Sequence, residues 1–437
     1  MSATLIGIAG LGALVALILL RLPVALAMFA VGFAGITILS GAQVAFGLLA
    51  SESFAIGSKF DLVVIPLFIL MGNLATRTGM SRKLYDAAFA LVGHRRGGLA
   101  QATLLGCGAF SALCGSSIAA ALTRGKVALG EMERRRYAPG LSTATVAAGG
   151  TLGILIPPST GLVIYAILTE QSIGRLFLAG FLPGLVLLAL FMATVALICA
   201  LKPAAGPAGN VDASARRRAI VAALPACGVI LVTIGGLYGG WFSPVESAAV
   251  GAGLLLVLGI VQRGIGWRDL WQAARDTVGT SAAVMLILIG AHLFNPFMAL
   301  SHIPQDVGQF LAGSGLGPWT ILALILAVYL LLGMVMDGFA MLVLTVPVFY
   351  PVVMALGFDP VWFGIVVMIT LEMGLISPPV GMNVFIVNSV APHIPQAVIY
   401  RGILPFWLAM IAGIGLLCIA PQIVTWLPDM VMGARLH

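Results

Sequence analysis

A chain of 437 residues that is 61% hydrophobic and 8% charged falls far below the roughly 25% charged content of soluble domains. Apolar runs recur from end to end, and roughly 20 such residues span a bilayer core as a helix, so the composition describes a multi-pass, all-α integral membrane protein. The net charge of +7 comes from basic residues that flank those runs, and without a basic domain a nucleic-acid partner is excluded.

Hydropathy and basic residues predict, in chain order, spans near 4–20, 23–40 and 61–80, a hairpin near 99–124, a broken span at 140–169 and a long helix at 173–200. The second half repeats that order with spans near 219–239, 245–262 and 278–300, a hairpin at 318–350, a broken span at 361–391 and a helix at 402–420. Segments 44–58, 84–92 and 304–312 are too short to span and carry polar residues; they read as helices lying along the headgroups. The polar stretch 201–218 reads as a cytoplasmic linker between a first repeat, 1–200, and a second, 219–437. The five cysteines lie in apolar context and read as small core residues. No histidine spacing points to a metal site, and the histidines read as interfacial or packing residues.

Charge sets the relative orientation of the halves. Residues 77–136 carry ten Lys and Arg, whereas the matching stretch 276–400 carries none. Basic loops stay in the cytoplasm, so the first hairpin enters from inside and the second from outside. The halves come out as inverted repeats, with both chain ends outside.

The breaks are the most telling feature. GILIPPSTGLVIY (153–165) and GLISPPVGMNVFI (374–386) each carry a proline pair, and Pro157 and Pro378 stand 221 residues apart. A proline removes a backbone donor and clashes with the carbonyl four residues back. Pro157 and Pro158 thus deprive Gly153 and Ile154 of their donors, and Pro378 and Pro379 do the same to Gly374 and Leu375. In hydrocarbon such carbonyls are tolerated only against protein or a wet cavity. Broken helices in matching halves point to a secondary transporter's binding site.

The hairpin tips share that spacing. FSALCGSSIAAAL (110–122) holds Ser111, Gly115, Ser116 and Ser117, and the offset carries Ser116 onto Asp337 in VMDGFA (335–340). A serine pair also serves as helix packing in membranes. Freed carbonyls at half-helix C-termini suit Na⁺, and half-helix N-termini suit an anion. The candidate sodium-binding residues are therefore Ser111, Gly115, Ser116, Gly153 and Pro157 in the first half, and Gly333, Met336, Asp337, Gly374, Ser377 and Pro378 in the second. The candidate substrate-binding residues are Ser117, Ser159, Thr160 and Asn383. Three roles are open to Asp337: ligating the cation, titrating, or capping the second arm of its hairpin. Glu372 suits transport or a structural hydrogen bond, and Glu170, Glu246 and Asp359 fall in predicted loops.

GSSIAAAL, LGILIPPSTGLVIYAILTEQSIGRLFLAGFLPG, GMVMDGFAMLVLTVPVFYPVV and LEMGLISPPVGMNVFIV, in that order, resemble the large membrane (M) subunit of tripartite ATP-independent periplasmic (TRAP) transporters over nearly the whole chain. The resemblance implies an elevator-type ion-transporter fold, each repeat holding a re-entrant hairpin and a broken helix. It implies sodium-coupled import of an organic acid across the bacterial inner membrane. The implied partners are a small four-helix membrane (Q) subunit, a periplasmic solute-binding receptor (P), the lipid bilayer and a small carboxylate substrate. No cofactor is expected; Na⁺ is the coupling ion. Cys114 stands where serine is usual before GSS, and Ala120 replaces a more polar residue after it. The alternative is a stand-alone sodium–carboxylate symporter that needs no receptor. An intramembrane enzyme is disfavoured, because the GxSG and GxGD signatures are missing.

Overall fold

The helices follow the apolar runs. The computed structural model describes residues 2–115, 125, 128–209, 212–313 and 315–433, and every regular element among them is helical. Seven of these helices are long and apolar enough to cross a membrane, or eight if the bent pair Pro139–Leu155 and Thr160–Thr169 is taken as one span. The protein is a multi-pass membrane protein.

Most predicted elements appear within a few residues of their expected bounds. The first half runs Ala3–Leu19, Val24–Ser40, Val64–Arg77, the hairpin arm Gly98–Cys114, the broken pair and Ile173–Leu201. The second runs Ala213–Tyr238, Pro244–Val261, Trp267–Leu300, the hairpin Pro318–Gly333 and Gly338–Ala355, the broken pair Pro360–Leu375 and Met382–Val390, and Gln396–Ile419. Ala42–Ser58, Met80–Val92 and Ile303–Gly313 are the three short helices.

Four differences stand out, the first being that the helix expected from 402 begins at Gln396. The helix expected from 219 begins at Ala213, because ASARRR, though polar, is built from alanine and arginine, both good helix formers. Asp212 stands before it, and the Ser214 hydroxyl and the following backbone amides hold its carboxyl below the usual carboxylate range. The helix expected from 278 begins at Trp267; its first turns carry Arg268 and Arg275, which lower the hydropathy without disfavouring helix. Gln422–Met432 is a further helix, whose Asp429 pairs with Arg175. Two packing expectations also change. Cys107, Cys114 and Cys199 are buried, but Cys227 is exposed on its peripheral helix and Cys418 is only partly covered. His292 is no mere packing residue: its Nδ1 lies 3.0 Å from Glu52 of Ala42–Ser58.

Small residues govern the close approaches. Val24–Ser40 lies on Trp267–Leu300 with Gly290 against the Ala25 backbone, as membrane helices without a large hydrophobic drive require. Val64–Arg77 packs on Pro244–Val261 and Trp267–Leu300. There Asn73 donates to Thr277 at 2.9 Å and Arg77 pairs with Asp276 at 2.7 Å. The centre belongs to the broken helices, buried continuously over 141–155 and 361–375. Around them, Gly338–Ala355 of the second half packs on Thr160–Thr169 of the first, and Gln396–Ile419 packs on Pro139–Leu155. The halves therefore interleave. Residues 205–209 are tied to the loop at 93–97, since Gly97 N–H donates to the Gly206 carbonyl at 2.8 Å and Gly209 N–H to that of Gly93 at 3.0 Å.

Candidate substrate and ion site

Each break meets the end of a helix; of the first expected hairpin, near 99–124, only the arm up to Gly115 lies among the described residues. At the first, Gly98–Cys114 ends on Gly115, whose φ of +58° is left-handed and whose N–H donates to the Ser111 carbonyl at 3.1 Å. A Cβ on Gly115 would stand 2.3 Å from the Pro158 carbonyl oxygen. Only glycine supplies both that conformation and that approach. The Thr160 hydroxyl donates to the Gly115 carbonyl at 3.1 Å, tying the tip to the second half of the broken helix. Ser116 and Ser117 lie outside the described residues.

Ser159 closes the break locally. Its hydroxyl donates to the Ile154 carbonyl and accepts from the Leu162 N–H at 3.3 Å. It is therefore the N-cap of Thr160–Thr169, satisfying one of that half-helix's first amides. Ile154, expected to be deprived of a donor by Pro158, has recovered one from a side chain. Ser111 is similarly engaged, donating to Cys107 at 2.7 Å.

The second break spans 376–381 between its two half-helices. Gly333 and Gly374 touch backbone to backbone: a Cβ on Gly374 would stand 2.7 Å from the Gly333 Cα. Gly381 N–H donates to the Met334 carbonyl at 3.3 Å, so the second tip is bonded to the second break. Asp337 adopts the capping role, its Oδ1 accepting from Phe339 N–H at 3.0 Å and Ala340 N–H at 3.1 Å. Met336 is largely buried beside it. Gly374 is not left without a donor, since Ser377 N–H reaches its carbonyl at 2.9 Å. Both proline pairs, Pro157–Pro158 and Pro378–Pro379, are joined by cis bonds.

Helix Gln396–Ile419 supplies the remaining support. The Tyr400 hydroxyl lies 3.1 Å from the Pro379 carbonyl and 2.8 Å from that of Val380. Trp407 Nε1–H donates to the Ser377 hydroxyl at 2.9 Å, and Ser377 donates to Met373 at 2.6 Å. Asn383, in the first turn of Met382–Val390, is 0% exposed and neither amide atom has a hydrogen-bond partner among the described residues. A buried polar group is almost always paired, which makes Asn383 the clearest polar group on offer to a ligand. Glu372 is buried in the first half of this broken helix.

A cavity of about 120 Å³ lies beside the first break, lined by Cys114, Thr160 and Phe339 together with Ile69, Gly72 and Val284. The facing wall comes from Asn73, Thr76 and Thr280, which the sequence reading did not single out. An amide within a predicted span is itself a functional signal, and Asn73 carried it. The predicted loop carboxylates hold structural positions: Asp359 caps Pro360–Leu375 through Val361 and Trp362 at 2.8 Å each, and Glu246 forms a capping box with Ser243.

Chemically, the arrangement offers hydroxyl, amide and backbone groups together with the Asp337 and Glu372 carboxylates, without a cluster of three or more His/Cys/Asp/Glu for a metal among the described residues. Comparisons place this geometry among known proteins. Residues 11–423 match the family model described as the DctM component of tripartite ATP-independent periplasmic transporters. The chain is 35% identical, over 87% of its length and 89% of the relative's, to the C4-dicarboxylate TRAP transporter large permease protein DctM of Pseudomonas aeruginosa. It is 32% identical, over 81% of its length and 56% of the relative's, to the isethionate TRAP transporter permease protein DctMQ of Oleidesulfovibrio alaskensis. The crystal structure of the Alcanivorax borkumensis YdaH transporter shares the fold, with a TM-score of 0.61 at 15% identity over 86% of this chain and 88% of that one.

Proposed function

We propose, from the premise that this chain belongs to the DctM family of tripartite ATP-independent periplasmic transporters, that it imports a small organic acid with sodium as the coupling ion. The chain is a transporter permease subunit and not an enzyme. The observation that carries the finer reading is that each hairpin tip is bonded to a proline break, through Thr160 on Gly115 and Gly381 on Met334. Breaks held this way bring backbone carbonyls and half-helix N-termini to one place, the combination that takes a monovalent cation and a carboxylate.

In this reading Ser111, Gly115, Ser116, Gly153 and Pro157 belong to one sodium site. Gly333, Met336, Asp337, Gly374, Ser377 and Pro378 belong to the other. Ser117, Ser159, Thr160 and Asn383 face the carboxylate, with Asn383 the one whose amide the protein leaves unengaged. The halves act as inverted repeats in an elevator motion across a bacterial inner membrane. A small Q subunit and a periplasmic receptor complete the system; the fused name of the isethionate relative, DctMQ, supports the first of these partners.

The test is uptake into vesicles that hold this chain with its small partner. Accumulation is expected only with a sodium gradient and with receptor added outside. Robust sodium-driven uptake without receptor would favour the stand-alone symporter. Asp337→Asn and Ser116→Ala are expected to weaken sodium activation more than protein abundance; an unchanged sodium dependence in both removes those side chains from the ion sites.

A further inference from the structure

The segment between the halves gathers basic residues that lie far apart in the chain. After Lys202 its backbone crosses the starts of two helices. Ala138 N–H donates to the Ala205 carbonyl at 2.9 Å, Gly97 N–H to that of Gly206 at 2.8 Å, and the Tyr137 hydroxyl to that of Pro207 at 2.9 Å. Gly209 N–H then reaches the Gly93 carbonyl at 3.0 Å. The seat is close, since a Cβ on Gly206 would stand 2.7 Å from the Cys199 Sγ and 3.0 Å from the Gly97 Cα. A Cβ on Gly209 would stand 3.0 Å from the Arg135 guanidinium, which lies over the Phe89 ring. Phe89 belongs to Met80–Val92, which packs along Ala213–Tyr238. This strap thereby brings Arg95, Arg96, Arg136, Lys202, Arg216 and Arg217 to one end of the molecule. All six are exposed and, among the described residues, none has a carboxylate partner. The nearby acids are engaged elsewhere: Glu131 pairs with Arg134, Glu133 with His393, and Asp212 accepts from the Ser214 hydroxyl.

We propose that the strap builds a site for the phosphodiester headgroup of an anionic phospholipid. The helices that lead to it face lipid. On Ala213–Tyr238 the exposed residues Val221, Leu224 and Leu231 continue from Arg217 along one helical face. Leu197 and Leu201 are exposed in the last turns of the helix that ends at Lys202. Cations that close an apolar stripe lie at headgroup depth, and basic clusters of that kind attract anionic lipids. Arginine suits the ligand, because its planar fork meets phosphate oxygens with two parallel N–H bonds. Unpaired cations held together also repel one another, and an anion among them relieves that repulsion. Phosphatidylcholine brings its own ammonium into the patch and so gains less. A free phosphate ion meets the same cations but has no acyl chains to lay against Val221 and Leu224, which favours the lipid as occupant.

The full chain, purified with its small partner in a neutral detergent, is titrated with dioleoylphosphatidylglycerol, dioleoylphosphatidylcholine or inorganic phosphate. The rise in apparent Tm is followed, since a ligand of the folded state stabilises it. Phosphatidylglycerol is expected to reach its half-maximal effect at a mole fraction at least about fivefold below that of phosphatidylcholine, and phosphate to leave Tm in place. Arg216→Gln with Arg217→Gln, and separately Arg95→Gln with Arg96→Gln, should each raise the phosphatidylglycerol midpoint roughly fivefold or more, what one cation contributes beside an anionic headgroup. The phosphatidylcholine midpoint should not move. Arg263→Gln with Arg268→Gln removes the same charge at the start of Trp267–Leu300, off the strap, and is expected to stay within about twofold of the parent. Gly206→Val keeps every charge and unseats the strap, so it too should raise the midpoint; the exposed arginine pairs decide the matter if that variant does not fold. Equal midpoints for the two lipids on the parent would overturn the site. An equal shift from Arg263→Gln with Arg268→Gln would overturn it in favour of general surface charge, and a Tm rise with phosphate alone would make the ligand a free ion.

Discussion

The two proline breaks share a sequence pattern and differ in how their polar groups are satisfied. The first is closed from within and by its own tip: Ser159 serves Ile154 and Leu162, and Thr160 serves Gly115. The second is braced from a neighbouring helix, by Tyr400 on Pro379 and Val380 and by Trp407 on Ser377. Its following half-helix carries Asn383 in its first turn, fully buried and without a hydrogen-bond partner among the described residues. One break has spent its side chains on itself; the other has an amide in reserve. The difference teaches that matching motifs in two halves need not satisfy their polar groups in matching ways.

The largest test of the comparison lies in the glycines that seat the tips. Gly115→Ala must place a side chain at φ +58° and 2.3 Å from the Pro158 oxygen. The left-handed conformation costs roughly 1–2 kcal/mol and overpacking about 1–3 kcal/mol more. Gly374→Ala meets only the second penalty, at 2.7 Å from the Gly333 Cα. Thermal unfolding of the purified protein should therefore rank Gly115→Ala below Gly374→Ala. The reverse order would mean that the second tip, not the first, is the more tightly seated.

A more selective contrast comes from Ser159 and Asn383. Removing the N-cap in Ser159→Ala is expected to cost roughly 0.5–2 kcal/mol of stability, with uptake falling as the fold loosens. Asn383→Leu removes a buried amide the protein does not pair, so stability is expected to hold or rise, because such a group costs about 1–3 kcal/mol. Uptake should nevertheless fall at least about tenfold, the loss of a hydrogen bond to a charged ligand. Parallel loss of stability in Asn383→Leu would show a structural partner and dissolve the contrast.

Much of this was legible in the chain. The breaks announce themselves because a proline pair forbids an unbroken helix wherever it falls, and Pro139 and Pro360, each opening a broken helix, stand at the offset of Pro157 and Pro378. Asp337 was found because a carboxylate deep in an apolar run is conspicuous, yet its engagement as a cap depends on backbone direction that hydropathy does not carry. The braces Tyr400 and Trp407 and the wall of Asn73, Thr76 and Thr280 escaped for a common reason. Each acts across the fold, on residues 20 or more positions away in the case of Tyr400, and sequence spacing reports only what a single helix or an internal repeat brings together. Trp267–Leu300 was cut short because charged residues in its first turns mask helix from a hydropathy reading, though they favour it locally.

The smallest expected effect concerns the brace itself. Tyr400→Phe keeps the ring and removes the hydroxyl that lies 3.1 Å and 2.8 Å from the Pro379 and Val380 carbonyls; Trp407→Phe removes the donor to Ser377. Each should cost about 0.5–1.5 kcal/mol, a typical net hydrogen bond. The informative readout is sodium dependence. Ser377 belongs to the proposed second ion site, and Trp407 fixes the hydroxyl whose oxygen that site would use. Trp407→Phe should then raise the sodium concentration for half-maximal uptake by roughly threefold, within the range of one net hydrogen bond. Tyr400→Phe, which touches carbonyls beyond that site, should lower stability by a similar amount and leave the sodium curve in place. If both variants move the curve equally, the brace acts by holding the break as a whole. If neither does, Ser377 contributes its backbone alone, and the difference between the two breaks is one of support rather than of ion chemistry.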